Sequence, residues 1–190
     1  VTFSGGTLSS FTGSGTSYSV VFTPTANTQS GSGSVSVASG AFTDAAGNSN
    51  TASSATTITY DTQAPTVSIS ASATTLKSGE TSTLTFTLSE PSTNFVTGDA
   101  TATGGTLASI SSTSSTVYTA VFTPTANTQS GTGAISVAIG AFADAAGNTN
   151  TASSTSSITY DTQVPTVSNV TSSSTNGTFS IGDSVSIQIT

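Results

Sequence analysis

The chain repeats itself at long range: VFTPTANTQSG occupies residues 21–31 and again 121–131, so that Phe22 and Phe122 stand 100 residues apart. The match continues through AFTDAAGN against AFADAAGN and through ITYDTQ in both copies. A period near one hundred residues, filled with Thr, Ser, Val and Gly, has the length of one β-sandwich domain and marks a tandem array. The two YDTQ segments set the edges. Residues 62–161 form one complete unit, 1–61 correspond to the later part of another because Val1 aligns near Ala100, and 162–190 open a third. The chain then reads as a window on a longer polypeptide.

A composition dominated by Ser and Thr, with 33% hydrophobic residues, would by itself suit a disordered stalk. The local pattern argues for a folded chain. In TSTLTFTLS, Leu84, Phe86 and Leu88 alternate with Thr83, Thr85 and Thr87, the period-two pattern of a strand buried on one face. Tyr118, Ala120 and Phe122 alternate in the same way, as do Ile135, Val137 and Ile139. Threonine is β-branched and suits the wet face of a pleated sheet. The spacing predicts strands near 65–71, 81–89, 92–104, 106–111, 116–123, 132–139 and 151–160, with turns at Ser78–Gly79, Pro91, Pro124–Gly131 and Ala145–Asn148. Seven such strands predict an all-β fold of tandem immunoglobulin-like Greek-key β-sandwiches joined by short linkers. Pro65 and Pro165 fix the backbone just after Asp61 and Asp161, which makes those linkers stiff.

Several chemistries are excluded together. Cysteine and histidine are absent, which removes zinc sites, thiol catalysis and any histidine triad. The one basic side chain, Lys77, against a net charge of -7, speaks against nucleic acid and anionic membranes as partners. No apolar run has the length of a membrane span.

The acidic residues carry the chemical signal. There are eight, and three sets recur in place: Asp44 with Asp144, Asp61 with Asp161, and Glu80 with Asp183 in the matching strings SGET and IGDS. With strands alternating as in an immunoglobulin-like sandwich, the linker and the loops after the second and sixth strands share one end of the domain. That topology gathers Asp61, Glu90 and Asp144 with no cation in nearby sequence to neutralise them. A hard divalent cation with oxygen ligands, calcium above all, is their natural partner, with Asn148 and carbonyls of the DAAGN loop completing its shell. Asp99, in VTGD, is placed either in that shell or at a turn elsewhere. Glu80 falls at the opposite end beside Asp161, so each junction would draw Glu80 or Asp183 from one domain and linker and loop carboxylates, such as Asp44 or Asp144, from the next. The competing reading is turn chemistry alone, because an Asp before Gly-Asn accepts local backbone hydrogen bonds unaided.

At these residues the chain resembles the bacterial Ig-like repeats of large extracellular adhesins and other repetitive surface proteins. The matching motifs are SEP at 89–91, GGTL at 104–107, VFTPTANTQSG, GAFADAAGN at 140–148 and YDTQVPTVS at 160–168, and the likeness covers all 190 residues. The resemblance implies an extender at the bacterial cell surface, holding a binding or enzymatic tip away from the cell and often rigidified by calcium between domains.

Three roles compete. Repetition favours a stalk or filament segment whose partners are the adjacent Ig-like domains of the same chain. A surface- or carbohydrate-binding module would use Thr-rich faces, but aromatic platforms are not evident, since Phe86 and Phe122 sit at inward positions. A decoration or assembly domain of a virion or surface layer shares the same fold. An enzyme fits least: Glu90 and Asp144 could pair as glycosidase carboxylates, yet the acids recur from repeat to repeat. Intramolecular isopeptide crosslinks need a lysine per domain, and Lys77 has no counterpart in the third repeat near Gly177. Finally, 162–190 hold the opening strands and 1–61 the later ones of a sandwich neither completes alone: separate copies could complete one another head to tail by strand addition, or, more simply, the natural chain continues at both ends.

Overall fold

The computed structural model describes residues 1–190, and its order follows the repeat. Residues 1–61 form β1 (Thr2–Ser4), β2 (Gly6–Ser14), β3 (Ser17–Pro24), β4 (Gly31–Ser36) and β5 (Thr56–Tyr60). The complete unit holds β6 (Val67–Ala71), β7 (Thr75–Lys77), β8 (Ser82–Leu88), β9 (Ala100–Thr103), β10 (Gly105–Leu107), β11 (Ser111–Ser112), β12 (Val117–Pro124), β13 (Gly131–Val137) and β14 (Ser156–Asp161). Residues 162–190 contribute β15 (Val170–Ser172) and β16 (Ile187–Ile189).

In the complete unit the chain weaves between two sheets. One has the order β10-β12-β8-β6 with β11 on β12, and the other β7-β14-β13-β9. Pairing is antiparallel except for β7 on β14, where Leu76 lies opposite Tyr160. This is the immunoglobulin-like Greek-key sandwich the period predicts, with its first strand split into β6 and β7 and its fourth into β10 and β11. The split of the first strand carries the chain from one sheet to the other. Gly104 makes the second crossing: its φ is +72, matched by +74 at Gly5 in the first unit, and a Cβ on Gly104 would stand 2.2 Å from the Thr132 carbonyl oxygen. Only glycine takes that backbone and that approach without strain.

Alternation dictates the core. On β8, Ser82, Leu84, Phe86 and Leu88 are buried while Thr83 and Thr87 face water. They join Phe122 of the neighbouring β12 and meet Ile135, Val137 and Ile158 from the facing sheet in a core of 14 buried apolar residues, all between Val67 and Tyr160. Fully burying a side chain such as Leu84 or Ile135 stabilises by about 1.5–3 kcal/mol.

Three expected strands come out shorter. Residues 92–99 form a loop ending in a 3-10 turn at Thr97–Asp99, because Phe95 turns into the core and Ser92 and Asn94 hydrogen-bond outside any ladder. The strand expected over 106–111 breaks into β10 and β11. The last strand starts at Ser156, since 151–155 are held from the side: Ser153 Oγ accepts from Val137 N at 2.9 Å, and Asn150 Nδ2 donates to Ala138 O at 2.8 Å.

Candidate metal centre at the junction of two units

An aromatic plug closes the end of the complete unit where the first linker enters. Phe95 packs edge-on against Tyr118 and Phe142, both with ring centroids 5.1 Å away. Phe95 belongs to the β8–β9 loop and Phe142 to the β13–β14 loop, so burying the plug draws the two loops together. Polar contacts fix their register: Ser92 Oγ donates to Ala143 O at 2.8 Å, Ala143 N donates to Asn94 Oδ1 at 3.2 Å, and Tyr118 OH donates to Ser92 O at 2.7 Å.

On this base stand three carboxylates. Glu90 follows β8, Asp144 lies in the DAAGN loop and Asp61 follows β5 of the preceding unit; one oxygen from each lies within 4.8 Å of the others. Asp144 is shaped by its own loop, with Oδ1 accepting from Ala146 N at 2.8 Å and from Asn148 N at 2.9 Å. The Asn148 amide then spans the junction: Nδ2 donates to Asp144 Oδ2 at 2.8 Å and to Asp61 Oδ1 at 3.4 Å. Asp61 is held by Gln63 N, which donates to its Oδ1 at 3.0 Å.

The linker between is pinned on both sides. Thr62 Oγ1 donates to Thr25 O at 2.7 Å, and Thr62 N donates to Thr28 O at 2.9 Å, fastening it to the unit it leaves. Pro65 is buried, and its carbonyl accepts from Thr151 N at 3.0 Å in the unit it enters.

Glu90 is the anomaly. It is only 5% exposed, and its Oε1 is buried with no hydrogen-bond partner. Burial, then the charges of Asp61 and Asp144, push its carboxyl above the ordinary glutamate value, against a hydrogen bond with the Gln29 side chain of the preceding unit. Two unit charges about 4.8 Å apart repel by roughly 3 kcal/mol at an effective dielectric near 20. Asp144 is pushed up by burial, but hydrogen bonds from Asn148, Gly147 and Ala146 outweigh it and leave its carboxyl below the ordinary value. The one basic side chain gives no relief, since Lys77 pairs with Glu80 at 3.6 Å on the turn between β7 and β8.

The remaining acids lie apart from this cluster. Asp44 repeats the Asp144 loop, accepting from Ala46 N, Asn48 N and Asn48 Nδ2, each at 2.9 Å, but it is exposed. Asp99 closes its 3-10 turn by accepting from Val96 N at 2.7 Å. Glu80 accepts from Lys77 N at 3.1 Å, and Asp183 does the same for Ser180 N at 2.6 Å, so SGET and IGDS are one turn used twice. Asp161 lies opposite Lys77 in the β7–β14 ladder and shares a surface hollow with Glu80, at the outgoing end of the unit. Sequence reasoning did not pick out Gln29, Ser92 or Asn94. A trace of Gln29 was present in the repeated TANTQSG, where Gln129 matches it.

Oxygen-only ligands, an orphaned buried carboxylate oxygen and an excess of negative charge are the donor set of a hard divalent cation. Asp61, Glu90 and Asp144 thus form an acidic cluster that could hold a metal ion.

A two-sheet sandwich of this topology, repeated along the chain with acids at the joint, defines a tandem array of Ig-like modules. A family model described as bacterial Ig-like domain matches residues 1–60 and again 61–160. The chain belongs to that family, whose domains are of a non-catalytic type typical of bacterial surface proteins. No curated protein and no solved structure matches it. No helix is long and apolar enough to cross a membrane.

Proposed function

We propose that the chain is a spacer segment, stalk or filament, of a large repetitive extracellular bacterial surface protein, and that calcium at the joints between Ig-like units stiffens it. The observation that carries this reading is the Glu90 Oε1 atom, buried and unpartnered between the carboxylates of Asp61 and Asp144. Asp61 belongs to one unit's exit and the other two acids to the next unit, so a cation bound by all three would tie consecutive modules together. Turning the Asn148 amide end for end would offer its oxygen as a further ligand. Asp144 Oδ1 is taken up by the backbone N–H groups of Ala146 and Asn148, so Oδ2 is the oxygen left for coordination while those loop hydrogen bonds persist.

Calcium titration of the chelator-treated protein tests the reading. Extracellular calcium modules bind with Kd of about 0.1–1 mM, so 10 mM calcium should raise the melting temperature by on the order of 10 °C. Glu90→Gln should abolish most of that rise. Equal melting with calcium and with chelator, or a full calcium response in the Glu90→Gln protein, would sink it. Small-angle scattering should also show a longer, less variable particle with calcium bound.

A further inference from the structure

We infer, building on the calcium-stiffened joint proposed above, that Ser92 and Asn94 are positioning residues of its cation site: they tie the Glu90 loop to the Asp144 loop and so set the spacing of two of the three carboxylates. Asp61 arrives with the linker, but Glu90 and Asp144 stand on different loops of one sandwich. That sandwich alone must hold the two like charges side by side.

Ser92 is a fixed post, 5% exposed, with every polar group engaged. Its N–H donates to Ser115 O at 3.2 Å, its carbonyl accepts from the Tyr118 hydroxyl at 2.7 Å, and its own hydroxyl hydrogen is shared between Ala143 O and Asn94 Oδ1, each 2.8 Å away. Asn94 returns the tie. Its Oδ1 accepts from Ala143 N at 3.2 Å, and its backbone N–H donates to Ser92 Oγ at 3.3 Å. On the other loop, the bridge between Ala143 and Thr149 is closed by the backbone groups of Phe142 and Asp144, which turns the N–H and carbonyl of Ala143 toward Ser92 and Asn94. Both are met there.

The lever arms from this tie to the carboxylates are short. Ala143 immediately precedes Asp144, and only Pro91 separates Ser92 from Glu90. Proline fixes its own φ and restricts the residue before it to extended backbone, so the Glu90 main chain cannot turn independently of Ser92. The buried Glu90 side chain has little room to compensate. Neither Ser92 nor Asn94 needs to touch the ion. Groups that orient metal ligands from behind typically cost about 10–100-fold in affinity when they are removed.

Calcium titration of the full chain at constant ionic strength, followed by the NMR shift of the Gly147 amide, reads the affinity in protein that is folded throughout. Ser92→Ala and Asn94→Ala leave all three carboxylates in place, yet each should raise the calcium Kd by about 10–100-fold. Asn94 is exposed, so Asn94→Ala decides the matter even if the buried Ser92→Ala fails to fold. Ile158→Val, in the same core but on β14 rather than on either loop, should lower the metal-free melting temperature and leave Kd within about twofold. Wild-type affinity in Asn94→Ala would overturn the positioning role and leave the calcium reading standing. An equal weakening in Ile158→Val would do the same, because any loss of stability would then loosen the site. A wild-type chain whose Gly147 signal ignores calcium, or one whose response survives Glu90→Gln, would overturn both.

Discussion

The same loop, GAF-[TA]-DAAGN, appears twice in this molecule and lives in two environments. In the complete unit Phe142 is 1% exposed, wedged against Phe95, and the Asp144 beyond it faces Glu90 and Asp61. In the first unit Phe42 is 62% exposed, and Asp44 faces water with the same local hydrogen bonds. The loop conformation is thus local, written by an Asp that accepts backbone hydrogen bonds and an Asn four residues on. Its burial and its electrostatics come from elsewhere: from the strands that cover the sheet and from the preceding linker. A module text of this kind fixes a shape, and neighbours decide what that shape does.

The comparison breaks most sharply at the phenylalanines. Phe142→Ala should destabilise the complete unit by about 3–5 kcal/mol in urea unfolding, while Phe42→Ala at low protein concentration should stay within about 0.5 kcal/mol. Equal costs would mean that Phe42 is covered in solution.

Next comes the charge that one environment has and the other lacks. In chelator, Glu90→Gln should stabilise by about 1–3 kcal/mol, because it removes a buried anion that two others repel. The same anion sets a pH dependence. A carboxyl held above its ordinary value of 4.5 is more protonated folded than unfolded, so metal-free stability should rise as pH falls from neutrality through the Glu90 titration toward 4.5. Asp44 and Asp144, both held below 3.8, act oppositely and withdraw stability only under more acidic conditions. Melting temperature against pH in chelator would show a maximum on the acid side of neutrality, and Glu90→Gln should flatten its neutral limb. A profile unchanged by that substitution would contradict burial and repulsion at Glu90 as the cause.

The smallest effect lies in the asparagines. Asn148→Ala loses a bond across the joint and should cost about 1 kcal/mol; Asn48→Ala, confined to an exposed loop, should cost less than about 0.5 kcal/mol. Chemical denaturation of the two variants side by side would measure the difference.

Much of the fold was legible because periodicity is a local property. The alternation of Leu84, Phe86 and Leu88 names an inward face, and the repeat of YDTQ marks where units meet. The meeting of Asp61, Glu90 and Asp144 followed once a strand order was assumed, since topology alone brings those loops to one end. What stayed hidden depended on side-chain direction and on distant partners. The stretch 92–99 reads as strand but is a loop, because Phe95 turns inward to meet Phe142, about fifty residues away in sequence. The orientation of the Asn148 amide and the reach of Gln29 into the next unit likewise arise only from packed geometry.

The hydroxyl of Thr62 that fastens the first linker to Thr25 has a twin in Thr162, which binds Thr125 at the same 2.7 Å. Identical fastenings at successive exits would send each linker away along the same heading. An array built on them would wind like a spiral staircase with equal steps, its reach growing in proportion to the number of treads.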